Sequence, residues 1–130
     1  MKGYTFPNGV INAGEYADIQ ELLTCVDVGI TDYSSWICDY MLTKKPGFLY
    51  ATDMVQYEEK DREFFYPLST MPFPLALDND QLINNILNFD QETFVKKCND
   101  FLEEKGCIDD GHAAERIANV FEQIMRGEVI

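Results

Sequence analysis

Basic residues are scarce in this chain: 10 Lys and Arg stand against 23 Asp and Glu, for a formal charge of -13 and a pI near 4.2. Such a field repels phosphodiester polymers and argues against nucleic acid as a partner. Long apolar runs are missing as well. None approaches the ~20 residues needed to span a bilayer, and the opening Met1-Lys2-Gly3-Tyr4-Thr5 lacks the apolar segment of a secretory signal. The chain as given therefore reads as soluble. Histidine occurs once, at His112, and the cysteines Cys25, Cys38, Cys98 and Cys107 include no C-x-x-C pair. That pattern speaks against a zinc cluster or a redox dithiol, so no metal and no cofactor is expected. Cys25 and Cys38 fall within apolar patterns and are expected as buried, reduced packing residues, which suits a cytoplasmic compartment.

What is present is the make-up of a globular domain. The 130 residues are 46% hydrophobic and 13% aromatic, enough to bury one core, and no repeat or low-complexity tract divides them. "GVIN" (9–12) is a candidate short strand, and "ADIQELLTCV" (17–26) sets Ile19, Leu22, Leu23 and Val26 at helical spacing. "VGIT" follows as a buried strand. In "SSWICDYMLTKK" the residues Trp36, Ile37, Tyr40 and Met41 share a helical face, with Lys44 and Lys45 where the dipole favours cations. Pro46-Gly47 stops that helix before the strand "FLYA" (48–51). A structured loop with one short helix is expected from Asp53 to Pro74, and then three helices over 79–89, 91–105 and 112–127. Strand, helix and strand with short connections form a βαβ unit, whose right-handed crossover leaves ligand sites at the strands' carboxyl ends. The expected class is α/β: a parallel, Rossmann-like layer with a helical carboxy-terminal layer.

"TDYSS" (31–35) falls at that edge and admits two readings. In one, Asp32, Ser34 or Ser35 simply caps the helix that follows, a contribution of about 1 kcal/mol. In the other, the free N–H groups of the helix start and the serine hydroxyls seat a phosphate. Asp39, four residues beyond Ser35, lies on the same helix face, where a carboxylate can accept from ribose hydroxyls. Asp32 would repel a diphosphate, so its expected part is to accept backbone N–H groups and shape the turn. A second constellation is "DDGHAAERI" (109–117). Asp109 or Asp110 can cap its helix, and His112 and Arg116, at i and i+4, form either an anion contact or local ion pairs with Asp109 or Glu115.

At these two places the chain resembles the CDP-glycerol glycerophosphotransferases, the teichoic acid primases and polymerases of bacteria. The resemblance runs from "DIQELLTCVDVGITDYSSWICDYMLTKKPGFLYATD" to "DDGHAAERI", about residues 18 to 117. It implies the carboxy-terminal, nucleotide-binding half of a GT-B transferase that moves glycerol phosphate from CDP-glycerol to a growing polymer and releases CMP. By position it puts Thr31, Ser34 and Ser35 at the donor phosphates, Asp39 near the ribose and Arg116 near the phosphates. His112 stands where the family pattern has a lysine. Arg62, in "EEKDREFFYP", falls where the family has an arginine after its acidic loop, as a loop ion pair or a donor contact.

Members of that family are much longer. They carry an acceptor-binding domain and an early part of the donor domain, with the histidines proposed as general base and phosphate contact. Residues 1–130 are accordingly expected to be a single-domain fragment of the donor half, with no assignable catalytic residue and no turnover alone. The polymer acceptor would enter through the missing amino-terminal domain, and the whole protein would be cytoplasmic, peripheral on the inner face of the plasma membrane. An unpaired sheet edge left by absent strands favours homo-oligomers. Two other functions remain open. One is a different GT-B nucleotide-sugar transferase or epimerase, and the other is a non-catalytic α/β interaction module.

Overall fold

The computed structural model describes residues 5–54, 56–57 and 66–128. Local chemistry accounts for where its helices start. Asp18 precedes α1 (Ile19–Cys25) and accepts from the N–H groups of Gln20 and Glu21 at 2.9 and 3.2 Å. Asp78 and Asp90 do the same for α3 (Asn79–Leu87) and α4 (Gln91–Glu104), through Gln81 N–H and Thr93 N–H, each at 2.8 Å. These carboxylates satisfy donors that have no partner inside the helix. The last helix, α5, spans Ala113–Met125.

Three strands, β1 (Gly29–Thr31), β2 (Gly47–Tyr50) and β3 (Leu75–Ala76), form a parallel sheet in the order β1-β2-β3. Gly29 pairs with Gly47 and Thr31 with Leu49, while Leu49 and Tyr50 pair with Leu75 and Ala76. The helix α2 (Trp36–Met41) connects β1 to β2, which realises the expected βαβ unit. Both glycines admit an aromatic ring at close range. A Cβ at Gly29 would lie 2.8 Å from Cε1 of Tyr40, and one at Gly47 would lie 2.6 Å from Cε1 of Phe73. Lys45 then locks α1 to the unit, donating from Nζ to the Thr24 and Val26 carbonyls at 2.8 and 2.9 Å.

Ile37, Tyr40 and Met41 on α2 pack with Leu49, Ala51, Leu68, Phe73, Phe94 and Cys98 in one buried cluster. Phe48 is buried on the sheet too, its ring 5.4 Å from that of Phe89, which lies 5.2 Å from Phe94. The short 3₁₀ turn Leu68–Thr70 closes this core from the loop side.

Two expectations need correction. Cys25 and Cys38 are exposed, and the buried cysteine is Cys98. Cys98 lies four residues beyond Phe94, on the inward face of α4, and burial pushes its thiol up to about 11. Cys38 instead adjoins Ile37 and falls on the opposite side of α2. "GVIN" forms no strand, and Val10 and Ile11 are exposed, at 51% and 87%. A strand requires a neighbour to take its N–H and C=O groups, and no described strand lies beside this segment. No helix among the described residues is long and apolar enough to cross a membrane.

Candidate functional site

The carboxyl ends of β1 and β2 lie side by side, and the chain leaves each through a polar turn. After β1, the Asp32 carboxylate accepts from the Tyr33 N–H at 2.6 Å, so this side chain shapes the turn as expected. Ser35 occupies the N-cap position of α2, yet its hydroxyl makes no capping bond. Backbone carbonyls do that work: Ser34 C=O accepts from Ile37 N–H at 3.4 Å and Ser35 C=O from Cys38 N–H at 3.0 Å. The serine side chains are exposed and Thr31 is buried, so the turn presents hydroxyls that no cap consumes.

Two hollows flank the turn. One, about 120 Å³, is lined by Tyr33, Ser34, Ser35, Cys38, Leu68 and Met71 among others. The other is a wider cleft of about 610 Å³ between the strand ends, lined by Ile30, Thr31, Asp32, Tyr50, Thr52 and Asp53. Hydroxyl groups and exposed backbone can donate to an anion here, while Asp32 and Asp53 bias the cleft toward ligands with hydroxyl donors of their own.

Tyr33 ties the two turns together. Its hydroxyl donates to Oδ1 of Asp53 at 2.6 Å, and its ring stacks on Tyr57 with centroids 3.9 Å apart and planes 19° apart. Burial, followed by the bond to Asp53 and the nearby carboxylate charges, raises this phenol well above its usual range. Sequence reasoning passed over Tyr33, Asp53 and Tyr57. A tyrosine inside the motif, and an Asp and a Tyr at i and i+4 just after β2, were the available signals.

The other expected site residues lie elsewhere. Asp39 is exposed on α2, lines neither hollow, and accepts from Nε2 of Gln20 at 3.0 Å. Arg116 holds Asp110 with two bonds of 2.7 and 2.8 Å and reaches the Ile108 carbonyl at 3.3 Å. His112 Nδ1 lies 3.1 Å from Oε2 of Glu115, and its N–H donates to Asp110. Arg116 thus forms a local ion pair and His112 a local contact with Glu115, and neither lines the hollows at the turn. Arg62 falls outside the described residues.

A parallel βαβ layer with a hydroxyl-rich turn at its strand ends is the class of domain that seats nucleotide phosphates in α/β transferases. More particularly, the chain belongs to the family described as CDP-Glycerol:Poly(glycerophosphate) glycerophosphotransferase, whose pattern matches residues 3–123. It is 32% identical over 117 residues to a teichoic acid ribitol-phosphate primase of Bacillus spizizenii, covering 89% of this chain and 30% of the relative. A teichoic acid poly(glycerol phosphate) polymerase of Staphylococcus epidermidis is 29% identical over 126 residues, covering 95% of this chain and 17% of the relative. A teichoic acid poly(ribitol-phosphate) polymerase of B. spizizenii is 36% identical, with 92% and 19% covered. Among solved structures, the wall teichoic acid polymerase TagF superposes with a TM-score of 0.68 at 28% identity, over 90% of this chain and 29% of that one. A variant of that polymerase, soaked with CDPG, superposes equally well. The fold is therefore an α/β piece of a GT-B architecture, and the chain spans less than a third of the length of these relatives.

Proposed function

We propose that the chain is the donor-binding part of a transferase that moves glycerol phosphate from CDP-glycerol to a teichoic-acid-type polymer. The observation that carries this reading is the "TDYSS" turn. In a chain of this family, it sets uncapped serine hydroxyls at the carboxyl ends of adjacent parallel strands. In the reaction, an acceptor hydroxyl oxygen attacks the phosphorus that bears glycerol. The P–O bond to CMP breaks, CMP departs with the electron pair, and the hydroxyl proton passes to a base outside this chain. Thr31, Ser34 and Ser35 donate to the diphosphate, and Asp39 takes the ribose hydroxyls after releasing Gln20. Arg62 and Arg116 supply cations, Arg116 by exchanging Asp110 for phosphate, and His112 supplies a ring N–H donor. The acceptor is held by the larger part of the transferase. That whole protein works in the cytoplasm at the inner face of the plasma membrane, and the 130 residues alone bind donor without turning it over.

Ribitol is the second reading for the donor's alcohol, because two of the relatives are a teichoic acid ribitol-phosphate primase and a teichoic acid poly(ribitol-phosphate) polymerase. Calorimetric titration with CDP-glycerol, CDP-ribitol and a UDP-sugar separates these cases. CDP-alditol uptake supports the proposal, UDP-sugar uptake points to another GT-B transferase or an epimerase, and no uptake at all leaves an interaction module. In the full-length transferase, Ser35→Ala should lower kcat/KM about tenfold with Tm nearly unchanged, since the hydroxyl contacts a charged ligand and caps nothing.

A further inference from the structure

Tyr33 belongs to the turn after β1, whereas Asp53 and Tyr57 belong to the segment after β2. Within that segment the N–H groups of Gln56 and Tyr57 donate to the Asp53 carbonyl at 2.9 and 3.0 Å. This places Tyr57 one helical turn beyond Asp53, so that one tyrosine side chain meets both. Its hydroxyl takes the carboxylate at 2.6 Å and its ring takes the second ring at 3.9 Å. Asp53 forms one wall of the 610 Å³ cleft, with Thr31 and Asp32 opposite, and Tyr33 itself lines the hollow beside Ser34 and Ser35. The Tyr33–Asp53 bond therefore ties the turn after β1 to the segment after β2, the two stretches whose residues line the cleft.

We propose that Tyr33 is a positioning residue for the nucleotide donor: by clasping Asp53 and Tyr57 it fixes the loop after β2 against the "TDYSS" turn and sets the width of the cleft. The clasp acts in two ways. It holds the two loops in one arrangement before the ligand arrives, so that less ordering is required on binding. It also draws the Asp53 carboxylate onto the phenol, which keeps an anionic group from turning toward the anionic diphosphate. The role in binding rests on the donor-site reading above, whereas the clasp does not.

The test uses the 130-residue chain with Tyr33→Phe, Asp53→Ala, Asp53→Asn and the double variant Tyr33→Phe with Asp53→Ala. Amide hydrogen exchange of residues 53–57 reports the clasp, calorimetry with CDP-glycerol and CDP-ribitol reports the donor, and Tm reports the fold. The expected result is exchange about tenfold faster in Tyr33→Phe, in Asp53→Ala and in the double variant alike, with donor affinity about tenfold weaker in Tyr33→Phe and less weakened in Asp53→Ala and in the double variant, which lack the carboxylate. Asp53→Asn, which keeps an acceptor oxygen, stays nearer the parent, and Tm barely moves. Unchanged exchange, or effects that simply add, overturns the clasp. Faster exchange with donor affinity unaltered overturns the positioning role. Failure of the parent chain to take up either donor, with the exchange pattern as expected, overturns the donor reading and the role in binding together, and leaves the clasp standing.

Discussion

Two amphipathic helices of this molecule meet opposite fates. The α2 helix has only six residues, yet Ile37, Tyr40 and Met41 are 2%, 0% and 1% exposed beneath its turns. The α5 helix has 13 residues with a clear apolar face, and Ile117, Val120, Phe121 and Ile124 are 59%, 41%, 61% and 53% exposed. A six-residue helix is far too short to persist alone, so α2 exists because burial against the sheet holds it. In α5 the support is local: the Arg116 pair with Asp110 and the Arg126 pair with Glu122 four residues earlier. Periodicity thus announces a helix and its apolar side. Whether anything covers that side is a separate matter, and the two helices answer it differently.

The comparison is broken most directly by equal truncations in the two regions. Ile37→Ala on α2, whose side chain is 2% exposed, should cost about 2–5 kcal/mol, because a buried aliphatic group leaves a cavity. Phe121→Ala on α5 should cost under about 0.5 kcal/mol, as an exposed substitution does. Urea denaturation of both variants settles the contrast, and similar losses would mean that α5 is packed in solution. Next in size is Gly47→Ala. Its Cβ would meet the Phe73 ring at 2.6 Å, and the required shift should cost about 1–3 kcal/mol by the same measurement.

A smaller effect of opposite sign is expected at Tyr40. Its hydroxyl is buried with no hydrogen-bond partner among the described residues. Burial, and then the charge of Asp27, pushes the phenol's pKa up. Tyr40→Phe removes an unsatisfied polar group while keeping the ring over Gly29, so thermal melting should show a gain of up to about 1 kcal/mol. A loss would reveal a partner for that hydroxyl and sharpen the picture of the β1 side.

The smallest effect belongs to α5 itself. The Arg116 guanidinium, followed by the His112 N–H, holds the Asp110 carboxyl below its ordinary value. A folded-state pKa below the unfolded one stabilises at pH above the unfolded carboxylate range and loses that contribution as pH falls through the folded value. Helicity at 222 nm should therefore decline slightly on acidification below about pH 4. Asp110→Asn should flatten that decline while leaving the neutral-pH core untouched.

Much of the architecture was legible along the chain because its causes are local. Asp18, Asp78 and Asp90 cap the helices that follow them, and the alternation of apolar runs placed β1 and β2 within a residue of their observed bounds, whereas α2 ends at Met41, four residues before the expected Lys45. The motif "TDYSS" was equally legible as a turn at a strand's carboxyl end. For Cys38 and Cys98, by contrast, local apolarity was a poor guide. Cys38 sits among apolar neighbours in sequence while Cys98 stands between Lys97 and Asn99, and only the packing of α4 on the core decided that Cys98 is the one inside.

What the sequence alone determined about this protein is whatever depends on residues within one or two turns of each other: its caps, helix faces, chain reversals and the chemistry of the "TDYSS" turn. The tertiary structure alone decided that a "GVIN" strand finds no neighbour, and that Asp39 faces Gln20 across 19 residues of chain. It alone decided that Tyr33 reaches Asp53 across 20 residues of chain and, with it, Tyr57. Such pairings follow from which strand lies beside which. Parallel neighbours are joined by a crossover whose length and packing set the register, so two turns distant in sequence become the two walls of one cleft only after the sheet has formed.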